Sequence, residues 1–180
     1  MKALHASIPV VVVGTILAAP CARADVTLAT DNGFVVTERR EVRAAPDRLA
    51  AAVSHVDEWW NDEHTFSDHA ANLKLEASAG ACFCERWAGG SVQHAQVIYV
   101  TPELVRLVGA LGPLQGLAVN GVLTFTIQKP DKADAAAKNW LVVTYRVGGG
   151  QVEDMRRLPP MVDAMMSDTS TRLARYLDRP

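Results

Sequence analysis

The sequence predicts an α+β domain in which a curved antiparallel sheet is closed by one long helix. Between residues 72 and 148, short runs of apolar and polar residues recur with turn signals between them, which is the spacing of an antiparallel meander. A single amphipathic segment follows, roughly over residues 159–177. A sheet covered by a lone helix tends to enclose a cavity, so this order of elements predicts a container for a ligand.

The first 24 residues predict a secretory signal peptide and not a part of the fold. Lys2 gives a positive start, residues 8–19 are almost all apolar, and Ala22 and Ala24 are small residues of the kind that a signal peptidase reads. The apolar run is shorter than the length that a transmembrane helix ordinarily requires. We therefore expect cleavage after Ala24, a periplasmic or secreted product, and no integral membrane segment after cleavage.

The remaining chain, residues 25–180, has the size of one ordinary domain and shows no repeat or linker. The whole sequence carries a formal net charge of −2 at pH 7, and loss of Lys2 and Arg23 makes the product more acidic. Such a charge does not favour nucleic acid or an anionic membrane surface as a partner.

Turn and capping signals divide the domain into elements. A first strand is predicted at 34–43, and Pro46 then opens a helix, since proline is tolerated in a first helical turn. A second short helix is predicted at 55–60, and the polar stretch 61–71 predicts an exposed loop. The remaining strands are predicted at 73–76, 82–87, 92–100, 104–111, 119–128 and 140–147.

Four sequence segments resemble a known family. The residues concerned are Trp60 and the segments 63–67 (EHTFS), 80–86 (GACFCER) and 109–117 (GALGPLQGL). They resemble a bacterial branch of the SRPBCC superfamily, the START-like proteins labelled polyketide cyclase or heat-shock ATPase activator-like. The resemblance covers about residues 33–177. It implies a helix-grip fold that holds a hydrophobic small molecule or lipid between sheet and C-terminal helix. It implies no catalytic residue, and export argues against a cytosolic co-chaperone role.

Cys82 and Cys84 lie two residues apart in a predicted strand, so both side chains point to one face while Phe83 and Glu85 point to the other. Two residues of extended chain separate the α-carbons by roughly 7 Å, at the limit for a relaxed disulfide. We therefore expect no disulfide between them. Structural packing is the favoured role of this pair, and lining of a ligand cavity is the alternative.

The expected ligand site combines the covering helix, one face of the sheet and the cavity mouth. Adjacent Trp59 and Trp60 cannot both face the core, so one of them is expected at the entrance. Methionines on the last helix suit an adaptable pocket wall. The apolar turn 112–116 is expected to gate the mouth or to plug the end of the sheet. The predicted ligand-binding residues are Trp60, Cys82, Cys84, His94, Leu114, Met161 and Met165.

Enzymatic and metal-binding alternatives rest on a few polar residues. His64, His69 and His94 could join the cysteines as zinc ligands, but no familiar ligand spacing is present, so no metal and no cofactor is expected. Ser67 lies between two histidines but lacks the Gly-x-Ser-x-Gly elbow of a hydrolase. A cyclase- or hydrolase-type enzyme in the same cavity is the alternative function. It requires His94 or Glu85 in a buried cluster, within hydrogen-bond reach of a partner.

Overall fold

Eight antiparallel strands form one curved sheet in the computed structural model, which describes residues 25–130, 138–149 and 155–180. The predicted signal peptide lies outside the described residues. The strands lie side by side in the order β1-β2-β8-β7-β6-β5-β4-β3. Their bounds are β1 Asp25–Thr30, β2 Gly33–Val42, β3 Leu73–Lys74, β4 Cys82–Trp87, β5 Gly90–Thr101, β6 Leu104–Val108, β7 Val119–Gln128 and β8 Asn139–Gly149.

In the described part of the chain, three α-helices accompany the sheet: α1 Leu49–Ser54, α2 Val56–Trp59 and α3 Pro159–Leu177. The C-terminal helix has the predicted bounds, and two prolines occupy its first turn, where the missing amide donor costs nothing. It packs mainly against β2 and also against β8, β1 and α1. The buried side chains of α3 are Pro159, Val162, Met166, Thr169, Ser170, Leu173 and Leu177. The helix-grip fold is therefore confirmed.

The C-terminal end of α3 is hydrogen-bonded to the end of β2. Asp178 Oδ1 accepts hydrogen bonds from the backbone N–H groups of Arg43, at 2.7 Å, and Ala44, at 3.2 Å. Near the middle of the helix, the Arg40 guanidinium donates to Ser167 Oγ at 2.9 Å and to Thr171 Oγ1 at 3.1 Å. Helix and sheet are thus joined by polar contacts at two positions along the helix.

Most strand predictions are confirmed, with three main differences. The strand β3 ends at Lys74, two residues earlier than predicted. The strand β6 ends at Val108, three residues earlier than predicted, because the chain turns away at Gly109 toward the 3-10 turn Gly112–Gly116. The edge strand β1 was not predicted. Its residues 27–30 are exposed, so it lacks the apolar alternation by which a half-buried strand is recognised.

A β-bulge in β5 places His94 inside the sheet. Phe83 pairs with Ala95 and Cys84 pairs with Gln93, so His94 is an extra residue without a partner on β4. His94 and Ala95 are both buried, although successive residues of a regular strand face opposite sides. A Cβ on Gly109 would lie 2.4 Å from the His94 carbonyl oxygen, so the chain just after β6 can pass the bulge only with glycine at this position. The bulge thus turns the imidazole inward.

None of the helices in the described part of the chain has the length and apolarity that a bilayer span requires.

Candidate functional site

A cavity of about 530 Å³ lies between the concave face of the sheet, the first turns of α3 and two loops. That volume is in the range of small-molecule sites. The lining is mostly apolar and aromatic, with a few polar groups. The lining residues are Trp60, Glu63, His64, Thr65, Phe66, Phe83, His94, Leu111, Gly112, Pro113, Leu114, Leu117, Tyr145, Leu158, Met161, Val162, Ala164 and Met165.

The helix supplies one wall through residues that share a face. Leu158, Met161, Val162 and Met165 follow each other at helical spacing. Val162 is buried, whereas Met161 is 61% exposed and stands at the mouth. The wall therefore runs from the core to solvent along a single face of α3.

Glu85 and His94 form the polar end of the cavity. His94 lines the cavity and is 5% exposed, and the Glu85 side chain behind it is fully buried. His94 Nε2 lies 3.0 Å from Glu85 Oε2. The same oxygen accepts from the backbone N–H of Phe66 at 3.0 Å, and Oε1 accepts from the backbone N–H of Ser67 at 2.6 Å. The carboxylate thus receives hydrogen bonds from a loop and from a neighbouring strand.

These contacts shift both pKa values downward. Burial alone would raise the pKa of Glu85, but hydrogen bonds from Ser67, Phe66 and His94 together outweigh it and lower that pKa. Burial lowers the pKa of the His94 imidazole by more than Glu85 raises it. The favoured state is therefore an ionised carboxylate beside a neutral imidazole. In that state Nε2–H donates to Glu85, and Nδ1 keeps its lone pair.

The loop between α2 and β3 covers this polar end. Phe66 is 50% exposed, and its ring stacks on the His94 ring with a centroid separation of 5.9 Å. Trp60 Nε1 donates to the His64 carbonyl oxygen at 3.1 Å. The prediction of an exposed loop was only partly right, because its middle is held down by the buried Glu85 carboxylate.

Asp168 on α3 ties the start of the same loop to the helix. Its Oδ2 accepts from Asn61 Nδ2 at 2.8 Å and from Arg172 Nε at 2.9 Å, and it lies 3.6 Å from His64 Nε2. The loop is therefore held at two points, by Glu85 from the sheet and by Asp168 from the helix.

Tyr145 on β8 fixes the opposite loop. Its hydroxyl donates to the Gly109 carbonyl oxygen at 3.0 Å and accepts from the Leu111 backbone N–H at 2.9 Å. Burial raises the pKa of this phenol to about 12, so it remains a donor at physiological pH. Its ring lies over Gly121, where a Cβ would come within 2.4 Å of it. The turn that carries Leu114 therefore starts from a fixed point.

Five of the seven predicted binding residues meet in the cavity lining: Trp60, His94, Leu114, Met161 and Met165. Their role in binding stays a prediction. Phe83 and Tyr145 also line the cavity and were not predicted. The alternation of β4 carried a signal for Phe83, because that residue lies on the face opposite the two cysteines.

Cys82 and Cys84 correct two expectations. Neither belongs to the cavity lining, because the inward face of β4 is the one that carries Phe83 and Glu85. The two cysteines are joined by a disulfide, which was not expected. Their α-carbons are 5.4 Å apart, less than the separation of roughly 7 Å in a fully extended chain on which the expectation rested. At that separation the disulfide is geometrically accessible.

The other polar candidates do not assemble a nucleophilic or metal centre among the described residues. Ser67 Oγ donates to the His69 carbonyl oxygen at 3.3 Å and accepts from Asn72 at 2.9 Å, which are contacts within the loop. No group of three or more His, Cys, Asp or Glu side chains within residues 25–130, 138–149 and 155–180 is placed to hold a metal ion.

No family model matches this chain, and no curated protein matches it. Solved structures, in contrast, do match this chain. Protein MLL2253 from Mesorhizobium loti is 20% identical over 81% of this chain and 97% of its own, with a TM-score of 0.55. The di-domain ARO/CYC StfQ from the steffimycin biosynthetic pathway is 13% identical, with 82% of this chain and 51% of StfQ covered and a TM-score of 0.54. Ara h 8.0201 is 8% identical over 81% of this chain and 97% of its own, with a TM-score of 0.52. These likenesses show that the chain shares the fold of those proteins.

Proposed function

We propose that this chain is an exported protein of the SRPBCC superfamily that binds a hydrophobic or amphipathic small molecule, or a lipid, between its sheet and its C-terminal helix. The observation that carries the proposal is the cavity of about 530 Å³ with a mainly apolar lining. A packed core leaves few voids larger than a water molecule, so a space of this size is not an ordinary packing defect.

The lining supports a ligand with an apolar body. Removal of apolar surface from water is worth roughly 25 cal/mol per Å², so about 200 Å² of ligand surface contributes about 5 kcal/mol before the costs of association. Methionine side chains at 161 and 165 adapt to different ligand shapes. The exposed Phe66 and Met161 extend the apolar path to the surface.

Two observations support export. The N-terminal residues have the charge and apolar pattern of a signal peptide. The Cys82–Cys84 disulfide is of a kind that persists in oxidising compartments such as the bacterial periplasm. Fractionation of cells that produce the full chain, with N-terminal sequencing of the product, tests this part. A product that stays cytosolic and uncleaved would contradict export.

Native mass spectrometry of the purified protein, with titration by a fluorescent apolar probe, tests binding. A Met165→Trp variant fills the cavity from the helix wall and is expected to lose most of its affinity for the probe. Arg175→Trp adds the same bulk at an exposed position of α3 that is not in the lining, and it is expected to bind normally. Equal binding by both variants and the wild type would place the probe elsewhere and contradict the proposal.

A cyclase- or hydrolase-type enzyme in the same cavity is the second candidate, and the buried Glu85–His94 pair favours it. A neutral imidazole oriented by a carboxylate is the usual arrangement of a general base. In this function His94 would take a proton from the substrate or from water, and Glu85 would hold the ring. Ester hydrolysis with p-nitrophenyl butyrate is expected to fall with His94→Gln. The same slow rate in wild type and variant would contradict this candidate.

A further inference from the structure

We propose that the polar end of the cavity selects ligands that carry an uncharged hydrogen-bond donor, such as a phenol or an alcohol, and that this group binds His94. The proposal rests on the proposed binding function and adds the chemical class of the ligand. It also predicts discrimination against the carboxylate analogue of the same molecule.

The first step is that the fixed donors around Glu85 favour its ionised form. Its Oε2 accepts from the backbone N–H of Phe66 and its Oε1 from the backbone N–H of Ser67. Hydrogen bonds from such donors stabilise a carboxylate relative to the protonated acid. Beside an ionised Glu85, the hydrogen of the contact with His94 lies on Nε2.

The second step concerns the other ring nitrogen. With Nε2–H engaged by Glu85, Nδ1 of a neutral imidazole has a lone pair and no hydrogen. Within the described residues no hydrogen bond joins Nδ1 to another group, while the ring itself lines the cavity and is 95% buried. Nδ1 is not among the buried side-chain atoms that lack a partner, so it is open to the cavity, where a ligand donor can take the place of water.

The third step is electrostatic. Among the described residues that line the cavity there is no lysine or arginine, and the charged groups at the mouth include the carboxylate of Glu63. A ligand carboxylate at His94 would meet a lone pair, with the Glu85 charge directly behind the ring. No cation would offset its desolvation. An anionic group is therefore disfavoured where a hydroxyl is favoured.

The fourth step concerns the shape of the ligand. Phe66 stacks on the His94 ring, and the Phe83 ring lies 4.9 Å from it between centroids. Trp60 contacts Phe83 edge-on at 5.4 Å. A flat aromatic ligand would pack among these rings while its hydroxyl reaches the imidazole. An aromatic hydroxyl compound is therefore the class that fits best.

Three biphenyl probes of one shape test the proposal by calorimetry at about pH 7.5, where a phenol is neutral. They are 4-phenylphenol, 4-methoxybiphenyl and biphenyl-4-carboxylate. The phenol is expected to bind about tenfold tighter than the ether, because one additional hydrogen bond in a mostly apolar cavity is worth about that much. The carboxylate is expected to bind more weakly than both. In His94→Phe the phenol and the ether are expected to bind equally.

The outcomes separate this inference from the function on which it rests. If ether and phenol bind the wild type equally, the selection by His94 is wrong while the apolar cavity stands. If no probe binds, the binding function itself is contradicted. If His94→Phe does not fold, nitrogen NMR of the wild type decides. The Nδ1 resonance of His94 is expected to move with 4-phenylphenol and to stay in place with 4-methoxybiphenyl, and an unmoved Nδ1 resonance with the phenol overturns the proposal.

Discussion

Two glutamates are fully buried among the described residues, and their pKa values move in opposite directions. The pKa of Glu85 is lowered and that of Glu38, on β2, is raised, although neither side chain is exposed. Glu85 receives hydrogen bonds from two backbone amides and from His94. The comparison teaches that burial does not set the charge state of a carboxylate when directed donors surround it.

Glu38 lacks such donors. Arg40 Nη2 lies 2.7 Å from its Oε2, yet neither carboxylate oxygen accepts a well-directed hydrogen bond from a described residue. Burial raises the pKa of Glu38, Arg40 opposes this, and the charge of Asp163 on α3 raises it further. Arg40 meanwhile holds Ser167 and Thr171 of the helix. Glu38 therefore belongs to the contact between helix and sheet, whereas Glu85 belongs to the cavity.

The largest predicted effect is on Glu85. Glu85→Gln keeps the shape but turns an amide NH₂ toward one of the backbone N–H groups of Phe66 or Ser67, and it removes the charge that both amides bind. We expect a loss of about 2–3 kcal/mol in the free energy of unfolding, measured by urea denaturation at pH 7. The matched change Glu38→Gln is expected to alter stability by less than about 1 kcal/mol, or to stabilise. Equal losses in both variants would break the comparison.

The two glutamates also predict opposite dependences on pH. A lowered pKa in the folded state gives stability that is present above the unfolded value and is lost as pH falls. This applies to Glu85 below its ordinary value of 4.5 and to His94 below 6.5. Glu85 lies behind the His94 ring, and the titratable side chains that line the cavity with His94 are Glu63, His64 and Tyr145. We therefore expect the wild type to lose stability from about pH 6.5 downward.

Glu38 has the reverse sign. Its raised pKa gives stability that is present below 4.5 and is lost as pH rises through the folded-state value. The stability of Glu38→Gln relative to the wild type is therefore expected to increase between pH 4 and pH 7. Urea denaturation of both proteins at pH 4 and at pH 7 measures this difference in the free energy of unfolding. If the difference shrinks as pH rises, ionisation of Glu38 does not destabilise the folded protein, and the prediction is wrong.

The disulfide sharpens the distinction between the two faces of β4. Replacement of both Cys82 and Cys84 by alanine opens a very short loop, so we expect a loss of about 1.5 kcal/mol or less in stability. Probe affinity is expected to stay unchanged, because the cysteines lie outside the lining. A large loss of affinity in a folded variant would show that the outer face of β4 shapes the site.

The smallest effect on stability is expected at Asp168. Asp168→Ala removes the contacts with Asn61, His64 and Arg172, which are partly exposed, so the cost is about 1 kcal/mol or less. The loop keeps its attachment to Glu85 but loses the one to α3. We expect faster probe dissociation in stopped-flow experiments with little change in stability. Unchanged dissociation would mean that Glu85 alone holds the loop.

The fold was predictable from the sequence because its signals are local. The alternation of β7 and the amphipathic period of α3 gave both elements their observed bounds. The site was less predictable. Which face of β4 turns inward depends on strands that lie far apart in the sequence, and the cysteines were assigned to the wrong one. The Glu85–Ser67 hydrogen bond joins a loop to a strand, and no local pattern indicates such a contact.

The bulge in β5 makes the chemistry of this cavity depend on chain length as well as on residue type. Loss of Gln93 would restore regular pairing with β4, with the histidine then opposite Cys84. A histidine kept in the shortened strand would then face the outside of the sheet, and the interior would lose its imidazole. An insertion or deletion of one codon at this point would therefore add or remove the imidazole at the polar end of the cavity, with every other lining side chain unchanged.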